Sequence, residues 1–185
     1  MRYPRIRIVI SEILQEGILM SDYKRKDLEK SKRKFSSLLR KYERKIFRLI
    51  YSYTGLKWKR EEIRVWLFRS KHESIADPFL LNTLSEDWDF ILFEFIRLLV
   101  EKLFYDNRRS LNFLMKKFKI DFLDFEAIYY AIARHIYEEL FGKKKIRKVM
   151  KKSKRGGFNE YIWIKAKEFD EKIGIGERKL YSLLT

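Results

Sequence analysis

Residues 88–104 read W-D-F-I-L-F-E-F-I-R-L-L-V-E-K-L-F, and this stretch decides the fold. It is apolar almost all the way round a helical wheel. A helix of that kind needs neighbours on several sides and belongs at the centre of the molecule. Ser85 stands where an N-cap is wanted, with Glu86 and Asp87 in the first turn, where acidic groups suit the helix dipole.

Upstream of it, residues 61–70, E-E-I-R-V-W-L-F-R-S, are rich in branched and aromatic side chains and too short for a helix, which predicts a strand. The loop 70–78 turns at Asp77-Pro78, and F-L-L-N-T-L at 79–84 reads as a second short strand. Residues 5–10, R-I-R-I-V-I, read as a further short strand, followed by a helical turn behind Ser11. Between Ser21 and Tyr53 the apolar residues Leu28, Phe35, Leu38, Leu39, Tyr42, Ile46, Leu49, Ile50 and Tyr53 keep three-four spacing. They predict one long amphipathic helix with a cationic back, stopped at Gly55.

Downstream, helices are expected at 108–119 and 122–141, with Gly142 ending the second or letting it bend. Gly156-Gly157 reads as a linker, and no internal repeat occurs. The predicted class is α+β and mostly helical. It has a long N-terminal helix, a small β-hairpin or sheet, a buried central helix with helices packed on it, a basic helix and a small C-terminal helical module. The expected division is 1–142 for the α+β domain, 143–157 for the basic helix and linker, and 158–185 for the module.

The chain has 185 residues, 43 of them Lys or Arg against 26 Asp or Glu, for a net charge of +17. Hydrophobic residues at 46% exclude wholesale disorder despite the charge. With no Cys there is no disulfide framework, thiol nucleophile or cysteine zinc ribbon. The N-terminal run does not read as a signal peptide, and no window is apolar enough to span a membrane. A cytoplasmic protein is expected.

The excess charge is localised. Residues 24–48 hold twelve basic and three acidic residues, and residues 143–155 hold nine basic and no acidic ones. Together they account for essentially all of the net charge, and the remainder is close to neutral. Like charges repel and weaken a compact state, so a run without a single acid points to a polyanionic partner. In 143–155 the apolar residues Ile146, Val149 and Met150 fall at helical spacing, which predicts a narrow docking stripe with the cations outward.

The stretch from Glu62 to Phe104, with the helix 125–141, resembles the core of the archaeal minigluzincins, small gluzincin-type metalloproteases. In that family a strand precedes a helix bearing H-E-x-x-H in an apolar context. Here the matching pentapeptide is Phe93-Glu94-Phe95-Ile96-Arg97. The motif needs two imidazoles one turn apart to hold zinc, with the Glu beside the first as general base. Phe93 cannot ligate, and the fixed charge of Arg97 repels a metal. The resemblance therefore implies a protease scaffold that has lost its zinc, with Glu94 left in the base slot without a task. Read from their spacing alone, Glu94 and Arg97 are an i, i+3 pair whose mutual contact makes burial tolerable. His135 reads as a helix-surface residue and His72 as exposed in a loop.

No phosphate loop, dinucleotide fingerprint or nucleophile elbow occurs, so neither catalytic residues nor metal ligands nor a cofactor are assigned, and an enzyme is not expected. The expectation is a non-catalytic RNA-binding protein, a structural component of an archaeal ribosome, large subunit preferred. Its partners would be ribosomal RNA and ribosomal proteins, without a membrane or small-molecule substrate. The phosphate contacts are assigned to Lys24, Arg25, Lys26, Lys32, Arg33, Lys34, Arg40 and Lys41 in the first segment. In the second they are assigned to Lys143, Lys144, Lys145, Arg147, Lys148, Lys151, Lys152, Lys154 and Arg155. Phe158, Tyr161 and Trp163 are candidates for stacking on bases, or for a module core. Two alternatives remain: a DNA-binding regulator using a helix-turn-helix-like 160–184, and a working metallopeptidase.

Overall fold

The computed structural model describes residues 3–10, 25–70, 73–121, 125–153, 157–177 and 179–184. The chain is mostly helical with a small three-stranded sheet. Strand β1 is Arg5–Ile10, followed by helix α1, Arg25–Thr54. Strands β2, Glu62–Phe68, and β3, Leu80–Asn82, lead into the central helix α2, Trp88–Asp106. Helices α3, Arg108–Phe118, and α4, Phe125–Phe141, come next. Then follow α5, Lys143–Ser153, α6, Gly157–Ile173, and α7, Lys179–Leu184.

The sheet is parallel throughout, in the order β1-β2-β3, so the hairpin option falls away. Arg5 pairs with Glu62 and Trp66 with Leu80. Parallel strands need a long crossover, and α1 supplies the first one. Ile63, Val65 and Leu67 point inward from β2 while Arg64 stays exposed, the alternation of a sheet covered on one face.

Helix α2 is buried on every side from Ile91 to Phe104 except at Glu101, which is half-buried. Its N-cap is Asp87 rather than Ser85. Glu86 takes a positive φ of 53°, the chain turns two residues later than expected, and the Asp87 carboxylate accepts the Asp89 and Phe90 N–H groups. Phe93 lies at the core, its ring against Tyr130, Tyr137 and Trp163 at 5.8, 6.0 and 5.6 Å.

The C-terminal helices share the core of the body. Ile162, Trp163, Ala166, Phe169 and Ile173 of α6 and Leu180 of α7 belong to the same hydrophobic core as α2 and α4. Gly157 is not linker but the first residue of α6, while Gly156 lies outside the described residues. Gly142, with φ +84°, separates α4 from α5, and its N–H closes the end of α4 on the Glu138 carbonyl. The helical turn expected behind Ser11, and His72, also lie outside the described residues.

His135 is not a surface residue. Its side chain is mostly buried between α4 and α6, with Nε2 2.8 Å from Asp170 Oδ2 and its ring stacked on Tyr53. Arg134 and the Gly176 N–H also bond Asp170. A Cβ on Gly176 would come within 2.9 Å of the imidazole, so the turn after α6 needs that glycine. Burial pushes the Asp170 carboxyl up, but His135, the Gly176 N–H and Arg134 outweigh it and hold it below the ordinary carboxylate range. A depressed folded value gives stability that is present above the unfolded value of about 3.9 and is lost as pH falls through the folded one. Asp170→Asn is therefore expected to lower stability at neutral pH and to remove part of the acid sensitivity. Urea melts between neutral pH and pH of about 2.5 check this; equal acid slopes for both proteins would refute it.

Candidate nucleic-acid interface

Helix α5 docks by the stripe its sequence predicts. Ile146 and Val149 are buried and Met150 is half-buried against the core. Lys143, Lys144, Lys145, Arg147, Lys148 and Lys151 are exposed. Lys152 is half-buried, and its Nζ donates to Asp87 at 3.0 Å. Lys145 donates to Asp89 at 3.3 Å. Two of the α5 cations are thus partly neutralised by the first turn of α2, and the outward set is Lys143, Lys144, Arg147, Lys148 and Lys151. Burial pushes the Asp87 carboxyl up, but the bond from Lys152 and the capped N–H groups more than offset it and hold it below its ordinary value. Lys154 and Arg155 lie outside the described residues.

On α1, Arg25, Lys26, Arg33, Lys34, Arg40 and Lys41 are exposed, together with Lys30, Arg44, Lys45 and Arg48. Lys32 is half-buried, and with Arg7, Arg25 and Glu29 it lines a recess of about 390 Å³ between α1 and β1. Lys24 lies outside the described residues.

The two basic helices flank a seam formed by the start of α2 and the end of α4, each packing on both of those helices. Lys34 lies over the Trp88 ring, 5.0 Å from its centroid, and Lys152 over Phe90 at 6.0 Å, both at the start of α2. Lys41 lies over Tyr42 and Lys145 over Phe141, and those two rings meet edge to face at 4.8 Å. Lys34 and Lys152 thus reach the start of α2 and Lys41 and Lys145 the end of α4, with Lys145 also reaching the start of α2 through Asp89. These half-buried rings were not among the expected stacking residues. The available signal was the seven-residue spacing of Lys34 and Lys41, and of Lys145 and Lys152, which puts each pair on one helix face.

The expected stackers fare differently. Trp163 is only 4% exposed, its ring against Phe93 and Tyr130, so it serves the core. Tyr161 is 47% exposed. Phe158 starts within α6, but its side chain lies outside the described residues. The helix that would read DNA, α7, is six residues long and packs on α1 with Leu180 buried.

Where the protease resemblance would place zinc ligands, Phe93 fills the aromatic core and Arg97 holds an ion cluster. Its guanidinium donates to Glu94 Oε2 at 3.1 Å and Glu101 Oε2 at 2.9 Å, and lies 3.6 Å from Glu126 on α4. It also faces the Tyr130 ring at 5.3 Å. Burial lowers the Arg97 pKa, but Glu94, Tyr130, Glu101 and Glu126 overcome it and hold the group more firmly charged than usual. Burial pushes the carboxyls of Glu101 and Glu126 up against the pull of Arg97. Among the described residues no group of three or more His, Asp or Glu is placed to hold a metal ion. No helix among them is long and apolar enough to cross a membrane. No family model matches this chain, and neither does any curated protein or solved structure.

Proposed function

We propose that this chain is a non-catalytic RNA-binding protein that grips its partner by phosphate contacts along α1 and α5, with ribosomal RNA as the preferred RNA. The observation that carries the reading is the outward face of α5. Five cations there stand opposite the buried Ile146/Val149 stripe, and no acidic residue occurs on that helix. A face so one-sided is electrostatically costly in the free protein and is relieved by a polyanion. Lysine outnumbers arginine in it, which suits neutralisation of phosphates better than bidentate reading of bases. Phosphate contacts of this kind position a protein on nucleic acid without reading its sequence.

Binding of the full chain to RNA is expected to weaken steeply with salt. If about five α5 cations reach phosphates, log affinity falls against log salt with a slope of about −3.5 to −4.5 from this helix alone. A titration of fluorescent RNA across salt measures the slope, and sedimentation with ribosomal subunits through a moderate-salt wash tests the preferred partner. A flat salt response, or no RNA binding at low salt, would overturn the proposal.

A further inference from the structure

We infer that the seam between α1 and α5 takes unpaired RNA, with bases laid on its aromatic rings and phosphates on the lysines that now cover them. The inference rests on the RNA-binding reading above and names the form of RNA that this site prefers. Four half-buried rings from three helices line the seam at Tyr42, Trp88, Phe90 and Phe141, and each carries a lysine ammonium 5.0 to 6.0 Å from its centroid. The lysines come as two pairs, each seven residues apart, so each pair spans about 10.5 Å along its own helix.

A duplex cannot use such a surface fully. Its bases are stacked inside, and an RNA helix offers a protein mainly phosphates and 2′-hydroxyls. Lysines would engage it and the rings would stay idle. A single strand uses both, because a base can take the place of the ammonium on the ring face while the displaced ammonium moves to a phosphate. Positive grooves floored with aromatic rings bind single strands on these terms, with little preference for sequence. Lys145 and Lys152 are also bonded to Asp89 and Asp87, whereas Lys34 and Lys41 approach from α1. Trp88 and Tyr42 are therefore the rings a base reaches first, and the indole offers the larger face.

The test compares a short oligouridine with an RNA duplex of equal phosphate number, both on the full chain at low salt. The wild-type protein is expected to prefer the oligouridine and to show quenched tryptophan emission with it alone. Trp88→Leu is expected to lose about 5- to 100-fold in oligouridine affinity, with duplex affinity unchanged and the quench abolished although Trp58, Trp66 and Trp163 remain. Trp88→Phe keeps a ring and is expected to restore most of the affinity. If the wild-type protein binds both RNAs equally well, the single-strand inference is overturned and the RNA-binding reading stands, whether or not Trp88→Leu folds. If Trp88→Leu weakens both alike, the inference is likewise overturned. If the wild-type protein binds neither, the RNA-binding reading itself falls.

Discussion

Changing Lys144, Arg147, Lys148 and Lys151 together to Gln is expected to weaken RNA binding on the order of a thousandfold at about 50 mM salt and to flatten the salt slope by about 3. The arithmetic follows from counterion release. On a single strand, each phosphate left without its cation lowers the slope by about 0.7, and that electrostatic share grows as salt is lowered. The fold should survive, because all four side chains are exposed and none lies on the Ile146/Val149 stripe. The Lys145–Asp89 and Lys152–Asp87 bonds are also untouched. Removing like charges from one helix also relieves repulsion within it. Binding curves at several salt concentrations, with a thermal melt as control, decide the matter. An unchanged slope with binding preserved would make this face a solvated surface without a partner.

Arg97→Met carries the largest expected effect on stability, a loss of about 3–5 kcal/mol. Arg97 is buried on α2, and its removal leaves Glu94, Glu101 and Glu126 facing one another without the cation that holds them. Breaking a buried ion cluster costs more than the cluster ever contributed, since the orphaned charges remain. The pH dependence identifies the cause. Burial already holds the Glu101 and Glu126 carboxyls above their ordinary values. A raised folded value gives a contribution that is full below the unfolded value of about 4.3 and is lost as pH rises through the folded one. Without Arg97 those values rise further, so the deficit of the variant should be largest near neutrality and shrink towards a pH of about 4. Adding Glu94→Gln and Glu101→Gln should recover a good part of it. A deficit independent of pH, and not repaired by the two amides, would assign the loss to packing instead.

Much of this architecture can be read along the chain because it depends on local periodicity. The all-round apolar character of 88–104 marks α2 as central, three-four spacing marks α1, and Ile146 and Val149 mark the docked face of α5. Features set by distant residues do not show in that way. The parallel pairing of β1, β2 and β3 depends on how α1 crosses the sheet, and the shift of the cap from Ser85 to Asp87 depends on the turned backbone at Glu86. His135 looks solvated beside Arg134 and Glu138 until α6 brings Asp170 against it. Trp163 sits near a basic run, as a base-stacking residue would, yet contacts with Phe93 and Tyr130 bury it. The seam is least legible of all, since its rings come from α1, α2 and α4 and its lysines from α1 and α5. Only the seven-residue lysine spacing hints at it.

Gly142 decides where the positive charge of α5 is carried. Its φ of +84° breaks the path between α4 and α5, and open space surrounds the position where a side chain would begin. A residue with a Cβ resists that conformation, and for such a residue the easier course is to continue the helix. Residues 125–153 would then form a single rod of about 43 Å, with the lysines projected as a spike away from the seam. With glycine at the joint, α5 lies back on the body, Lys145 and Lys152 meet Asp89 and Asp87, and the other cations face outward from the flank. The molecule is then a blunt body with a charged flank, and a polyanion meets it as a surface rather than as an arm.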